Sequence, residues 1–256
     1  MMMKGNDISL AQWSLVEEFR AGKWNTLDFP ALARNDFNLN GVELVNTLFE
    51  VPTLEWLASL RQRANDHGVE LVLIMVDDEG DGCSAEPKGR MQFAIQHRKW
   101  VDIAQYLGCH AIRTNCRGSG SPDQEEAWKW ASESYQLLLE YASPAGMNIL
   151  IENHGGLSDN ANWLVSLMKK VNHPLFGTYP DWREPGPRFD NEDFLQKTLP
   201  YARGMSFRSQ PSDAQTLRLI EMTRSAGYRG WYGIESQGRE AIRKGKEILK
   251  RSLGIP

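Results

Sequence analysis

The chain has 256 residues, 41% of them apolar, with a net charge of −4 and a pI near 5.8. That length suits one large domain, as α/β barrels commonly are, and the apolar share suffices for a sizeable core. The acidic balance excludes the basic footprint of a nucleic-acid binder, and no apolar run approaches the length that spans a bilayer.

Taken in order, Ile8-Ser9-Leu10 reads as a short first strand, with Trp13 near its C-terminal end. After helical stretches, G-V-E-L-V-N from Gly41 is the second strand. Pro52-Thr53 starts a helix that stops at His67-Gly68, glycine being a common terminator. V-E-L-V-L-I-M-V forms a long third strand ending in Asp77, Asp78 and Glu79. A loop rich in Gly and Asp leads to a helix from about Gly89 to Leu107, and C-H-A-I-R-T-N is the fourth strand, with Arg113 and Asn115 at its far end. Ser121-Pro122-Asp123 predicts the next helix start, an N-cap with Pro in the first turn.

The fifth strand, in G-M-N-I-L-I-E-N-H-G-G, is an unbroken apolar run buried on both faces. Alternation puts Leu150, Glu152 and His154 on one face. A buried carboxylate at a strand end is costly unless paired, protonated or metal-bound. A helix over 158–171 follows, then G-T-Y-P-D as strand six ending at Asp181. W-R-E-P-G-P-R is a stiff polar loop. G-M-S-F-R-S is strand seven, G-W-Y-G-I-E-S strand eight, and an amphipathic helix closes the chain.

Glycines stand before the apolar strands at Gly41, Gly68, Gly108, Gly146, Gly177, Gly204 and Gly230, spaced 26 to 40 residues apart, the length of a βα unit. Eight such units predict a single (β/α)8 barrel domain over 1–256, with a doubly wound open sheet as the alternative. No G-x-G-x-x-G or G-K-[ST] loop follows a strand, which counts against a nucleotide-binding open sheet. Three cysteines, Cys83, Cys109 and Cys116, form no C-x-x-C pair, and the start lacks the apolar core of a signal peptide. These features predict a soluble cytoplasmic protein.

In such barrels the strand C-termini form one site. Strand parity sends Glu152, Asp181, Ser206, Arg208 and Glu235 into one mouth, and Met205, Phe207, Tyr232 and Ile234 outward. Three carboxylates so close repel unless protonated or neutralised by a cation. A hard divalent ion, Mg2+ or Mn2+, is the simplest compensation; separate salt bridges to Arg113 and Arg208 are the alternative. Of the histidines, His67, His110 and His173 sit at strand starts and His97 lies within a helix, so only His154 belongs to the mouth. It is a metal ligand, a loop hydrogen-bonding residue or, first in rank, a substrate contact.

With these residues in view, I-S-L-A-Q-W-S, Q-H-R-K-W-V-D-I-A-Q-Y-L-G-C-H-A-I-R-T-N, I-E-N-H-G-G-L-S, G-T-Y-P-D and G-Y-R-G-W-Y-G-I-E make nearly the whole chain resemble the xylose isomerase-like barrel superfamily of sugar phosphate isomerases and epimerases. The resemblance implies a divalent metal (Mn2+, Mg2+ or Co2+) held by Glu152, Asp181, a strand-seven residue and Glu235. It also implies that Glu152 and Glu235 flank a sugar and move a proton between adjacent carbons. Trp13, Arg113, Asn115, His154, Ser206 and Arg208 are the expected substrate contacts. Many relatives carry H-x-K in strand seven, where this chain has Ser206-Phe207-Arg208, so a weakly held ion is expected, its shell completed by water, His154 or Glu184. The implied function is a sugar isomerase or epimerase acting on a small sugar, keto-sugar or polyol derivative. The alternatives are a keto-polyol (inosose-type) dehydratase and a barrel that has lost catalysis and only binds a sugar. Expected partners are a small-molecule sugar and a second copy of the chain, with neither nucleic acid nor membrane. An endonuclease of the DNA-repair branch would need several strand-end histidines, and this chain offers one.

Overall fold

The computed structural model describes residues 6–118, 123–184 and 189–255. Strands and helices alternate. The strands are β1 (Asp7–Ala11), β2 (Gly41–Val45), β3 (Glu70–Met75), β4 (Ala111–Thr114), β5 (Asn148–Glu152), β6 (Phe176–Tyr179), β7 (Ser206–Phe207) and β8 (Trp231–Ile234). The helices are α1 (Val16–Arg20), α2 (Phe29–Phe37), α3 (Leu54–Asp66), α4 (Pro87–Leu107), α5 (Gln124–Ala142), α6 (Ala161–Val171), α7 (Asn191–Thr198), α8 (Asp213–Ser225) and α9 (Arg239–Leu253).

Each strand pairs in parallel with its sequence neighbours except β6 with β7, and β1 also pairs with β8, giving the order β6-β5-β4-β3-β2-β1-β8-β7. Parallel neighbours need crossovers, and the intervening helices supply them. Between β6 and β7 the curled sheet meets itself through two isolated parallel bridges, Thr178 with Ala202 and Asp181 with Ser206. Pro180 causes this thin seam: without an N–H it ends β6 and leaves only its carbonyl to accept from Ser206 N (2.9 Å). The expected eight-stranded parallel barrel is thus present, with β7 cut to two residues where a longer strand was read.

Buried apolar side chains such as Leu10, Val42, Leu73, Ile112, Leu150 and Ile151 fill both faces of the sheet, as parallel strands require. Outward positions pack on helices. The Tyr232 hydroxyl hydrogen-bonds Thr223 on α8, and Phe207 lies against Trp182 with ring centroids 5.0 Å apart. Helix ends follow local chemistry. Thr53 caps α3, and Gly108 ends α4 in the left-handed region (φ 83°), its N–H reaching back to Ala104 and Gln105.

The helix expected over 158–171 is split, because the Asn160 side chain accepts from Trp163 N and starts α6 afresh after a short 3-10 turn, Gly156–Asp159. The expected cap residues 121 and 122 lie outside the described residues, and Asp123 caps α5. Residues 185–188 of the polar loop after β6 also lie outside them. Among the described residues, no helix is long and apolar enough to cross a membrane.

Candidate active site at the strand C-termini

Beneath the mouth lies a buried polar layer. Glu43 of β2 points inward and accepts from Ser9 Oγ (2.8 Å) and from the Tyr179 hydroxyl of β6. Gly233 of β8 leaves it room, since a Cβ there would collide with the Glu43 carboxylate. Burial pushes the Glu43 carboxyl up to about 7, while its hydrogen bonds from Tyr179 and Ser9 pull the other way.

Above it, two guanidiniums organise four carboxylates. Arg113, at the end of β4 and fully buried, donates from Nη1 to Asp77 Oδ1 (2.6 Å), and its Nε lies 2.8 Å from Glu152 Oε2. That second contact is an ion pair out of hydrogen-bond alignment, so both Arg113 Nε and Glu152 Oε2 lack an aligned partner. Arg208, just past β7, donates from Nε to Asp181 Oδ1 (2.8 Å) and from Nη2 to Glu235 Oε1 (2.6 Å). The Ser206 hydroxyl lies 3.2 Å from Asp181 Oδ1 and 3.1 Å from Glu235 Oε2. One hydroxyl proton serves one of them at a time.

A third guanidinium, Arg183, comes within 3.9 Å of Asp181 but is committed to Asp159 at 2.8 Å, so the four carboxylates against Arg113 and Arg208 leave two negative charges in excess. Burial pushes the Glu152 carboxyl up to about 8, against the pull of Arg113 and with added repulsion from Glu235 and Asp181. Burial likewise raises Glu235, with Arg208 opposing it. Asp77 goes the other way: despite partial burial, Arg113 and Asn115 hold it below the ordinary carboxylate range. Protonating Glu152 and Glu235 therefore neutralises the cluster.

A chain of contacts extends from Arg113 to the cavity. Asn115 donates from Nδ2 to Asp77 Oδ1 (2.8 Å), which turns its Oδ1 toward His154 Nδ1 (2.8 Å). Asn115 Oδ1 can only accept and, at 2.8 Å, favours the tautomer with the proton on Nδ1 and a lone pair on Nε2, against Arg117 Nη2, which can only donate and lies farther off at 3.2 Å. Burial, then the charges of Arg113 and Arg117, lower the imidazole pKa to about 4, so His154 is neutral near pH 7. Arg117 Nε donates to the His154 carbonyl (3.0 Å) and fixes the loop.

These groups wall a cavity of about 720 Å3, large enough for a small sugar. Of the expected residues, Trp13, Arg113, Asn115, Glu152, His154, Arg208 and Glu235 line it. Asp181 and Ser206 are brought to the same cluster but sit behind Arg208, buried and off the cavity wall. His173 lines a separate cavity with Tyr201 and Arg203, and His97 is buried against Phe93. Asp77, Glu43, Tyr179 and Arg117 complete the site without having been singled out for it. Asp77 had a signal in its place directly after an apolar strand, and Glu43 in being the lone acid within one. Arg117 had none.

The donor set does not fit the expected ion in this arrangement. A hard divalent cation needs several oxygen lone pairs converging on one point. Here Asp181 and Glu235 give theirs to Arg208 and Ser206, Glu152 faces Arg113, and strand seven presents a hydroxyl in place of an imidazole. Among the described residues, no group of three or more His, Cys, Asp or Glu side chains is placed to hold a metal. The alternative read from the sequence, salt bridges to Arg113 and Arg208, describes these contacts.

The backbone resembles several solved structures. A D-tagatose 3-epimerase-like protein superposes with a TM-score of 0.76 at 16% identity, covering 97% of each chain. The probable 3-DHS dehydratase AsbF of Bacillus anthracis gives 0.73 at 17%, covering 95% of this chain and 98% of that one. A xylose isomerase-like TIM barrel protein from Mycobacterium smegmatis, in complex with magnesium, gives 0.70 at 15%, covering 97% and 95%. No curated protein matches in sequence. The family pattern described as xylose isomerase-like TIM barrel matches residues 31–185, more than half of the chain. The chain belongs to the xylose isomerase-like TIM barrel family.

Proposed function

We propose that this protein is an isomerase or epimerase that moves a proton on the carbon beside a carbonyl in a small sugar, keto-sugar or polyol derivative. The observation that carries the reading is a pair of buried carboxyls, Glu152 and Glu235, both pushed upward in pKa and both on the wall of one cavity. Buried carboxyls whose pKa is raised hold a proton more readily than free ones, so each can serve as base and acid in turn. One carboxylate takes the proton from carbon, and the C–H electron pair forms the C–C double bond of an enediol. The carbonyl π pair moves to oxygen as negative charge, and the other carboxyl then supplies a proton to carbon as a carbonyl re-forms. In an epimerase that proton arrives on the opposite face of the same carbon. In an isomerase it arrives on the neighbouring carbon, and the remaining hydroxyl proton passes to the first oxygen. Arg113 and Arg208 hold the two carboxyls in place. Neutral His154 can accept a hydrogen bond from a substrate hydroxyl at Nε2, and Trp13 lines the same cavity. No step here passes through a metal ion.

Loss of water from a keto-polyol begins with the same proton abstraction. The likeness in fold to the 3-DHS dehydratase supports that second reading. Incubating ketoses, aldoses and keto-inositols with the protein in deuterated water tests both. Exchange of a C–H proton with an isomeric product supports the first, and an unsaturated product the second. Glu152→Gln and Glu235→Gln should each lower turnover by ~10²–10⁴-fold, the share general acid–base catalysis contributes. Near-normal turnover in either variant would remove that residue from the mechanism.

A further inference from the structure

The place an ion would take between Asp181 and Glu235 is filled by a side chain of the protein. Arg208 reaches Asp181 through Nε (2.8 Å) and Glu235 through Nη2 (2.6 Å), a fork that a planar guanidinium makes and a point charge does not. Ser206 Oγ is within reach of both carboxylates, at 3.2 and 3.1 Å. Arg208 forms part of the cavity wall, whereas Asp181 and Ser206 do not. Its remaining nitrogen, Nη1, makes no hydrogen bond with the described residues and is left for a ligand.

We infer that Arg208 is the resident cation of this site. Its guanidinium holds the place of a divalent ion between Asp181 and Glu235, and its Nη1 receives the oxygen that turns negative when the proton leaves carbon. The second statement rests on the proton-transfer reading; the first does not. Arginine keeps its charge at any working pH, so such a site is neutralised without an ion.

Calorimetric titration with manganese chloride tests the first statement on chelator-treated parent and Arg208→Gln proteins, with melting followed alongside. The parent should show no saturable binding up to millimolar Mn2+ and no shift in Tm. Arg208→Gln removes the competing charge and frees the carboxylate lone pairs. It should bind about one equivalent, on the order of tenfold tighter or more, because a unit charge a few ångströms from a divalent ion costs several RT in a partly buried site. Mn2+ should also raise its Tm. Micromolar binding by the parent, or no tightening in Arg208→Gln, overturns the inference. If Arg208→Gln does not fold, Arg208→Met, which also removes the charge and keeps the apolar stem, decides by the same titration. Tighter binding than the parent supports the inference, and equal binding overturns it. For the second statement, proton exchange by the parent should survive chelation, and its loss there would refute a role for Nη1 in place of an ion. Should no sugar exchange at all, the proton-transfer reading fails while the titration still decides which cation holds the site.

Discussion

Replacing Glu152 with glutamine should lower turnover by ~10²–10⁴-fold and, at alkaline pH, stabilise the fold. Burial raises this carboxyl from 4.5 to about 8. At ~1.36 kcal/mol per unit, ionising it inside the folded protein costs on the order of 5 kcal/mol. The sign is opposite to that of an ordinary salt-bridged acid. Below about pH 4.5 folded and unfolded chains both hold the proton and there is no penalty. Between about pH 4.5 and about pH 8 the unfolded chain releases it while the folded chain does not, so stability falls, and above about pH 8 the penalty is complete. Glutamine keeps the shape and cannot ionise, and Arg113 keeps Asp77 as its partner. Urea unfolding across this window should therefore show the parent losing more stability than Glu152→Gln as pH rises. The difference should approach the order of the penalty above. Glu43 is raised in both proteins and cancels, whereas Glu235 interacts with Glu152, so the difference reports Glu152 together with that repulsion. Parallel profiles would refute a buried, raised Glu152 and with it the assignment of an acid near neutral pH.

Tyr179→Phe deprives buried Glu43 of one of its two donors and should cost about 1–3 kcal/mol in urea unfolding, more at pH above about 7 where Glu43 ionises. Gly233→Ala drives a methyl into the same carboxylate and should destabilise by about 1–3 kcal/mol, with an unchanged Tm contradicting the interior layer described. Asn115→Ala removes the acceptor at His154 Nδ1, leaving that nitrogen to Arg117, and should raise KM for a hydroxylated substrate; an unchanged KM would place His154 outside substrate binding.

The barrel was legible because its signals are local. Apolar runs, glycine stops and the alternation of strand with helix each fall within one βα unit, and strand parity alone sent Glu152, Asp181, Ser206, Arg208 and Glu235 to one mouth. Which charge meets which was not legible, since Arg113 joins Asp77 from β3 to Glu152 from β5, and Arg208 joins Asp181 to Glu235 across the β6–β7–β8 corner. Parity gives direction, not depth. Ser206 and Arg208 share a face, yet only the longer side chain reaches the cavity wall, and it covers the shorter one. The split at Asn160 shows a similar limit, because the apolar pattern runs on through a residue whose side chain caps the following turn.

The position of Arg208 couples chemistry to closure of the barrel. Elsewhere a ladder of parallel backbone bonds joins each strand to the next, but Pro180 ends that ladder between β6 and β7, leaving single bridges. Across this seam, Ser206 N donates to the Pro180 carbonyl and Trp182 N to the Ser206 carbonyl, while Arg208 ties Asp181 on one side to Glu235 on the other. An ion between those carboxylates would close the seam equally well, but it leaves whenever it is chelated. A covalently attached guanidinium cannot leave, so here the site's positive charge and the last stitch of the barrel are one residue. Breaking a buried pair by removing one partner costs more than the pair contributes, because the other charge is stranded. At this corner two carboxylates would be stranded together. With divalent ions withheld, Arg208→Gln should therefore melt below the parent, because neither cation then holds Asp181 and Glu235.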